Sequence, residues 1–170
     1  MKMNPGYWPG MKAGLLWAAI NNITLKGDWA EFGVWKGDSA RFLLRLLTQG
    51  NQLHLYDSFE GLPEDWSPEF PKGKFALSEP PTFDDARVVM HKGWFKDTIT
   101  SPPPFFSFVH VDCDLYSSTV DILSRIFLPT GLVIVFDEFP LGEEKALKET
   151  GIKYITLYES GYGQTAVKLL

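Results

Sequence analysis

The chain has 170 residues, enough for one domain with a substantial core. Hydrophobic residues make up 45% and charged residues 22%, an ordinary globular balance that argues against intrinsic disorder. The net charge of −5 disfavours a nucleic-acid surface, and the single cysteine, Cys113, excludes an intrachain disulfide. No stretch approaches the roughly 18 apolar residues of a membrane span. The opening MKMNPGYWPGMK has prolines and glycines where a signal peptide needs an apolar core. A cytoplasmic protein is expected, with no nucleic-acid or membrane partner.

From the amino terminus, Leu15, Leu16, Ala19, Ile20 and Ile23 recur at helical spacing, which predicts a helix over 11–23 within an N-terminal helical segment 1–26. DWAEFGVW (28–35) reads as a short strand. SARFLLRLLTQG (39–50) reads as a helix opened by Asp38 or Ser39 and stopped by Gly50. QLHLYDSF (52–59) is the next strand, giving a parallel crossover of the required length. Residues 60–82 are rich in proline and aromatic side chains, and a loop of that length predicts a lid or wall over a site. A short helix is expected at 83–86 and strands in ARVVMHKGWF and PPPFFSFVHVDCD. A helix over 117–127, a strand in LVIVFDEF, a helix over 143–149 and a terminal hairpin around GYG complete the chain. The alternation predicts a single α/β domain, 1–170. It has a Rossmann-like, mainly parallel seven-stranded sheet, helices on both faces and a C-terminal antiparallel hairpin.

Chemistry concentrates where strands end. FVHVDCDLYSST breaks into Asp112 and Asp114, and GLVIVFDEF into Asp137 and Glu138. In a parallel sheet, that is the carboxyl edge where ligands bind. Converging carboxylates require protons, basic neighbours or a cation. Asp112 or Asp114 could instead cap the following helix, a role better suited to Ser117 or Ser118, and one of the adjacent pair Asp137 and Glu138 could face solvent. His110 shares the strand face of Asp112, as a base or as a hydrogen-bonded core residue. His54 and His91 read as structural. Trp66 and Phe70 either stack on a ligand or pin the loop.

A second cluster lies earlier. In EFGVWKG, Glu31, Gly33 and Gly37 close the first strand, where glycine lets backbone approach a ligand and an acid can bind ribose hydroxyls or an amine. Trp35 breaks the dinucleotide G-x-G-x-x-G, and Asp38 after Gly37 breaks a phosphate loop. Asp57 ends the second strand at the place of a ribose-binding carboxylate, or acts as a turn acid. Ser58 follows it, and Gly93 and Trp94 past the third strand offer backbone approach and an aromatic wall.

EFGVWKGDSA, YDSFEGLPED, KGWFKDTI, HVDCDLYSST and VFDEF, in that order, resemble the macrocin O-methyltransferase-like class I S-adenosylmethionine methyltransferases. The resemblance spans about Asp28 to Phe139. It implies an S-adenosylmethionine site at Glu31, Gly33, Gly37 and Asp57, and a divalent cation, usually magnesium, on Asp112, Asp137 and Glu138. Asp114 matches the position of the catalytic base. The family often has two aspartates after the fifth strand, where this chain has Asp137 and Glu138, and usually carries more sequence before the first strand. The activity implied is O-methylation of a sugar or other small polyhydroxylated acceptor. Two alternatives stand beside it: an adenosylmethionine-binding module without transfer, and a metal-dependent phosphohydrolase. The expected partner is a small hydroxylated acceptor, with a homodimer left open.

Overall fold

The computed structural model describes residues 11–170. The part of the expected N-terminal segment before residue 11 lies outside them. The elements run α1 (Met11–Ile20), β1 (Asp28–Phe32), α2 (Asp38–Leu46), β2 (Leu53–Asp57), β3 (Val88–Lys92), α3 (Phe95–Thr98), β4 (Phe106–Val111), α4 (Tyr116–Leu123), β5 (Val133–Phe136), α5 (Glu143–Glu149), β6 (Tyr154–Glu159) and β7 (Thr165–Leu169). A 3-10 turn, Phe139–Leu141, separates β5 from α5. One seven-stranded sheet has the order β3-β2-β1-β4-β5-β7-β6, parallel from β3 to β5, with β7 antiparallel to β5 and β6.

Alternation along the strands feeds two cores. Ala30, Phe32, Val109, Val111, Ile134 and Phe136 face Ile122 and Leu123 of α4 and Ala146 and Leu147 of α5. Trp29, Phe108, Val133 and Val135 face Leu15, Leu16 and Ala19 of α1 and Ala40 and Leu43 of α2. The helices therefore cover both faces, as the alternating pattern predicts. Residues 28–32 of β1 pair with β4, Glu31 opposite His110, and alternation puts Glu31 on the same α1–α2 face as Trp29.

Several boundaries differ from expectation. β1 stops at Phe32 because Gly33 turns the chain at φ 89°, so Val34 and Trp35 are turn, not strand. Gly37 precedes α2 without a side-chain cap, Asp38 is the first helical residue, and α2 ends at Leu46 short of Gly50. The Ser39 hydroxyl serves Glu31 instead of capping. Neither Asp114 nor Ser117 caps α4, whose N-cap is Leu115. Residues 83–86 form no helix, and the short α3 after Trp94 was not expected.

Candidate active site

The sheet ladder runs on past the strand ends and fixes the site backbone. Gly33 N–H donates to the Tyr56 carbonyl at 3.0 Å, Gly93 N–H to Asp57 at 3.0 Å, Asp112 N–H to Phe32 at 2.8 Å and Asp137 N–H to Val111 at 3.0 Å. The glycine turn, Asp57, the Gly93 turn and both acid pairs are thus set in register along one sheet edge.

That edge opens into a cleft of about 650 Å³. Of the expected cofactor residues, Gly33, Asp57, Ser58, Gly93 and Trp94 line it, as do Asp112 and Asp114. Residues 61–64, with Lys72 and Phe75, form a wall from the 60–82 loop. That wall is tied down by Ser117 Oγ donating to Glu64 Oε1 at 2.5 Å. Trp66 packs on Phe70, with centroids 5.2 Å apart, and Phe70 stacks on Phe75. Both pin the loop, and neither lines the cleft. Among the described residues, three of the four non-glycine residues at positive φ, Trp35, Phe75 and Asp114, lie on the cleft wall, where strained backbone commonly marks function.

Asp57 organises the glycine turn from across the sheet. Its Oδ2 accepts from Val34 N–H at 2.7 Å and Trp35 N–H at 2.8 Å, and its Oδ1 from Phe59 N–H at 2.7 Å. Gly33 is required for a second reason: a Cβ there would stand 1.8 Å from the Asp112 carbonyl oxygen. The glycine turn and the acidic strand end are packed backbone to backbone.

Glu31 and Gly37 do not line the cleft. Glu31 is fully buried, accepts a short hydrogen bond from Ser39, and lies with Oε1 3.4 Å from His110 Nδ1. A Cβ on Gly37 would meet Phe83 at 2.8 Å, so that glycine admits the Phe83 ring against the start of α2.

The acids expected to form one cage fall into two groups that share Asp112. Among the described residues, potential ligand atoms within 4.8 Å of one another form two groups: His110, Asp112 and Asp137, and Asp112, Asp114 and Glu138. Residues 108, 110 and 112 follow the α1 face, and so does Asp137, whereas the Glu138 carboxylate lies beside Asp112 and Asp114 and its Oε2 has no hydrogen-bond partner among the described residues. The Glu138 N–H donates to Glu143 Oε2 at 2.9 Å. Burial, then the charges of Asp112 and Asp137, push Glu138 up to about 10. Burial likewise takes Glu143 to about 9. Burial first, with the same two aspartates, raises Asp114 to about 7, a value at which a carboxyl can take or give a proton near neutrality.

On the α1 face stands a residue that the sequence reading missed. Lys12 Nζ donates to Asp112 Oδ2 at 2.5 Å and to Asp137 Oδ2 at 2.9 Å. Gln164 Nε2 donates to the other Asp137 oxygen at 2.7 Å. Burial opposes the lysine charge, but the two aspartates outweigh it and hold Lys12 well above its ordinary value. Burial opposes ionisation of Asp137 too, yet Lys12, His110 and the Gln164 bond keep it below the usual carboxylate range, whereas burial pushes Asp112 up. A signal existed: Lys12 is in phase with the buried Leu15, Leu16 and Ala19, three, four and seven residues on, so its side chain must enter the interior.

A methyltransferase-domain family profile matches residues 30–139. The 8-demethyl-8-(2,3-dimethoxy-alpha-L-rhamnosyl)-tetracenomycin-C 4'-O-methyltransferase of Streptomyces olivaceus is 31% identical over 137 residues, 65% of this chain and 52% of that protein. Demethyldecarbamoylnovobiocin O-methyltransferase of Streptomyces niveus is 28% identical over 145 residues, 70% of this chain and 54% of that protein. The chain thus spans about half the length of these curated relatives. Among solved structures, apo CalS11, a TDP-rhamnose 3'-O-methyltransferase, superposes with TM-score 0.62 at 17% identity, covering 91% of this chain and 78% of that one. An O-methyltransferase from Bacillus cereus in complex with SAH gives 0.61 at 14%, covering 99% and 84%. Identities this low show a shared fold.

Proposed function

The chain belongs to the methyltransferase-domain family, and from that premise we propose that it is an S-adenosylmethionine-dependent O-methyltransferase. Its acceptor is a hydroxyl of a sugar or another small polyhydroxylated molecule. The observation that carries the reading is that one cleft is lined both by Gly33, Asp57, Ser58, Gly93 and Trp94 and by Asp112 and Asp114. Family membership sets the phosphohydrolase alternative aside, and the sugar-directed relatives support the acceptor class.

When bound, S-adenosylmethionine would supply a sulfonium methyl that the acceptor oxygen takes in line as the carbon–sulfur bond breaks and S-adenosylhomocysteine leaves. Gly33 and Gly93 let backbone approach the donor. Asp57 fixes the Gly33 turn and has one lone-pair position left, on Oδ1, for a ribose hydroxyl, beside Ser58. Trp94 walls the pocket. Glu31 and Gly37 act from behind, shaping the turn. Asp114, in the cleft and poised near neutrality, takes the acceptor's hydroxyl proton as the new carbon–oxygen bond forms.

The expected magnesium ion finds donors of suitable chemistry, all hard oxygens. Their arrangement does not fit it: Lys12 is seated between Asp112 and Asp137, and Glu138 groups with Asp112 and Asp114 but not with Asp137. No step is therefore routed through a metal.

The test is binding and turnover together. S-adenosylhomocysteine should raise the melting temperature, and methyl transfer to a panel of sugar acceptors should fall about 100-fold or more in Asp114→Asn with S-adenosylhomocysteine binding retained. Absence of S-adenosylhomocysteine binding would remove the proposed function. Binding without turnover in the wild type would favour the non-transferring module.

A further inference from the structure

Lys12 lies where a cation is demanded by everything around it. Asp112 and Asp137 converge on it from adjacent parallel strands, with side chains 23% and 12% exposed. Beneath them, His110 is fully buried, and neither ring nitrogen has a hydrogen-bond partner among the described residues, although one ring nitrogen falls within 4.8 Å of both aspartates. Two carboxylates and an imidazole, whose Nδ1 lies 3.4 Å from Glu31 Oε1, come together as a donor set that transition metals accept. An ammonium is seated between the two carboxylates instead.

The lysine is brought there by packing. Leu15 is almost wholly buried and Leu16 and Ala19 are wholly so, all against the sheet face that carries residues 108, 133 and 135. Their stripe sets the rotation of α1, and Lys12 begins it. Moving Nζ out of the acid pair would mean turning or lifting α1 and exposing that stripe, or leaving two desolvated carboxylates with only Gln164 against them.

We propose that Lys12 is the resident cation of this acid pair: the ammonium delivered by α1 takes the position between Asp112 and Asp137 that a divalent ion would need, and the pair binds no such ion while α1 is docked. Lys12 is then a positioning residue that holds the two aspartates at the acceptor end of the cleft. The inference rests on the proposed methyltransferase reading for what the cleft does, and not for which cation fills the pair.

Manganese titration of the full chain, followed by the electron paramagnetic resonance signal of the free ion, tests this without any turnover. Wild type should show no saturable site at the pair. Lys12→Met, which keeps the apolar stem, should bind manganese at least about tenfold tighter, and adding Asp137→Asn should abolish the gain. Lys12→Arg should remain like wild type. Should Lys12→Met fail to fold, as judged by its melting curve, Lys12→Gln replaces it. A saturable wild-type site lost in Asp137→Asn, or a folded Lys12 variant that gains nothing, overturns the assignment. Either failure leaves S-adenosylhomocysteine binding untouched, whereas loss of that binding would remove the proposed function and leave the manganese result standing.

Discussion

Replacing Asp57 by asparagine separates a residue that only touches a ligand from one that also builds the site. The carboxylate accepts three backbone N–H bonds, two on Oδ2 from Val34 and Trp35 and one on Oδ1 from Phe59. Hydrogen bonds to a charged group contribute roughly 1.5–3 kcal/mol each and neutral ones about 0.5–1.5. In Asp57→Asn the amide oxygen can keep Val34 and Trp35, each weakened by roughly 1 kcal/mol, while the amide nitrogen meets the Phe59 N–H donor to donor. Asp57 is half-buried, so water replaces part of what is lost, and the net destabilisation should be about 2–3 kcal/mol. For a chain of this length that lowers the melting temperature by about 5–10 °C. Circular dichroism melts of the ligand-free protein give the first number, and calorimetric titration with S-adenosylhomocysteine the second, expected to weaken at least about tenfold because the Gly33 turn slackens. An unchanged melting temperature with weakened binding would refute the structural half of the argument. If both are unchanged, Asp57 has no part in the site.

Gly33→Ala should be far more damaging than Gly50→Ala. Both glycines have φ near +90°, a strain of about 1–3 kcal/mol for alanine, but only Gly33 would also drive a Cβ to 1.8 Å from the Asp112 carbonyl, while Gly50 has open space. Melting curves of the two variants check this, and equal losses would contradict it. Stability should also fall with acid through the histidine pair, whose Nδ1 of His54 and Nε2 of His91 are 2.9 Å apart. Burial lowers both, with Asp28 partly opposing it at His54 and the His54 charge adding to it at His91. Native values below the ordinary 6.5 mean the unfolded chain takes up protons first. Stability is therefore full above about pH 6.5 and declines from there toward the lowered native values. Melting temperatures from about pH 8 to about pH 5 should show that slope, shallower in His91→Gln, and parallel curves would count against the pair.

The order of elements was legible because each depends on near neighbours. Apolar runs with period-2 neighbours became strands, and Gly33 and Gly37 marked the turn into α2. The break from FVHV to Asp112 located the sheet edge because a buried strand cannot continue into carboxylates. Short-range cues were weaker at ends: Ser39, a good cap on paper, is taken by Glu31, a partner eight residues away on another element.

The sequence by itself determined the alternating α/β order, the seven strands and the four acids at two strand ends, since hydrophobic period and turn chemistry are local. Only the tertiary structure decided what those acids face. Asp137 pairs with Lys12 of α1 while Glu138 lies beside Asp112 and Asp114, so one expected cage becomes two groups that share Asp112. Lys12 reaches Asp112 and Asp137 from 100 and 125 residues away, through the docking angle of a helix that no local pattern specifies.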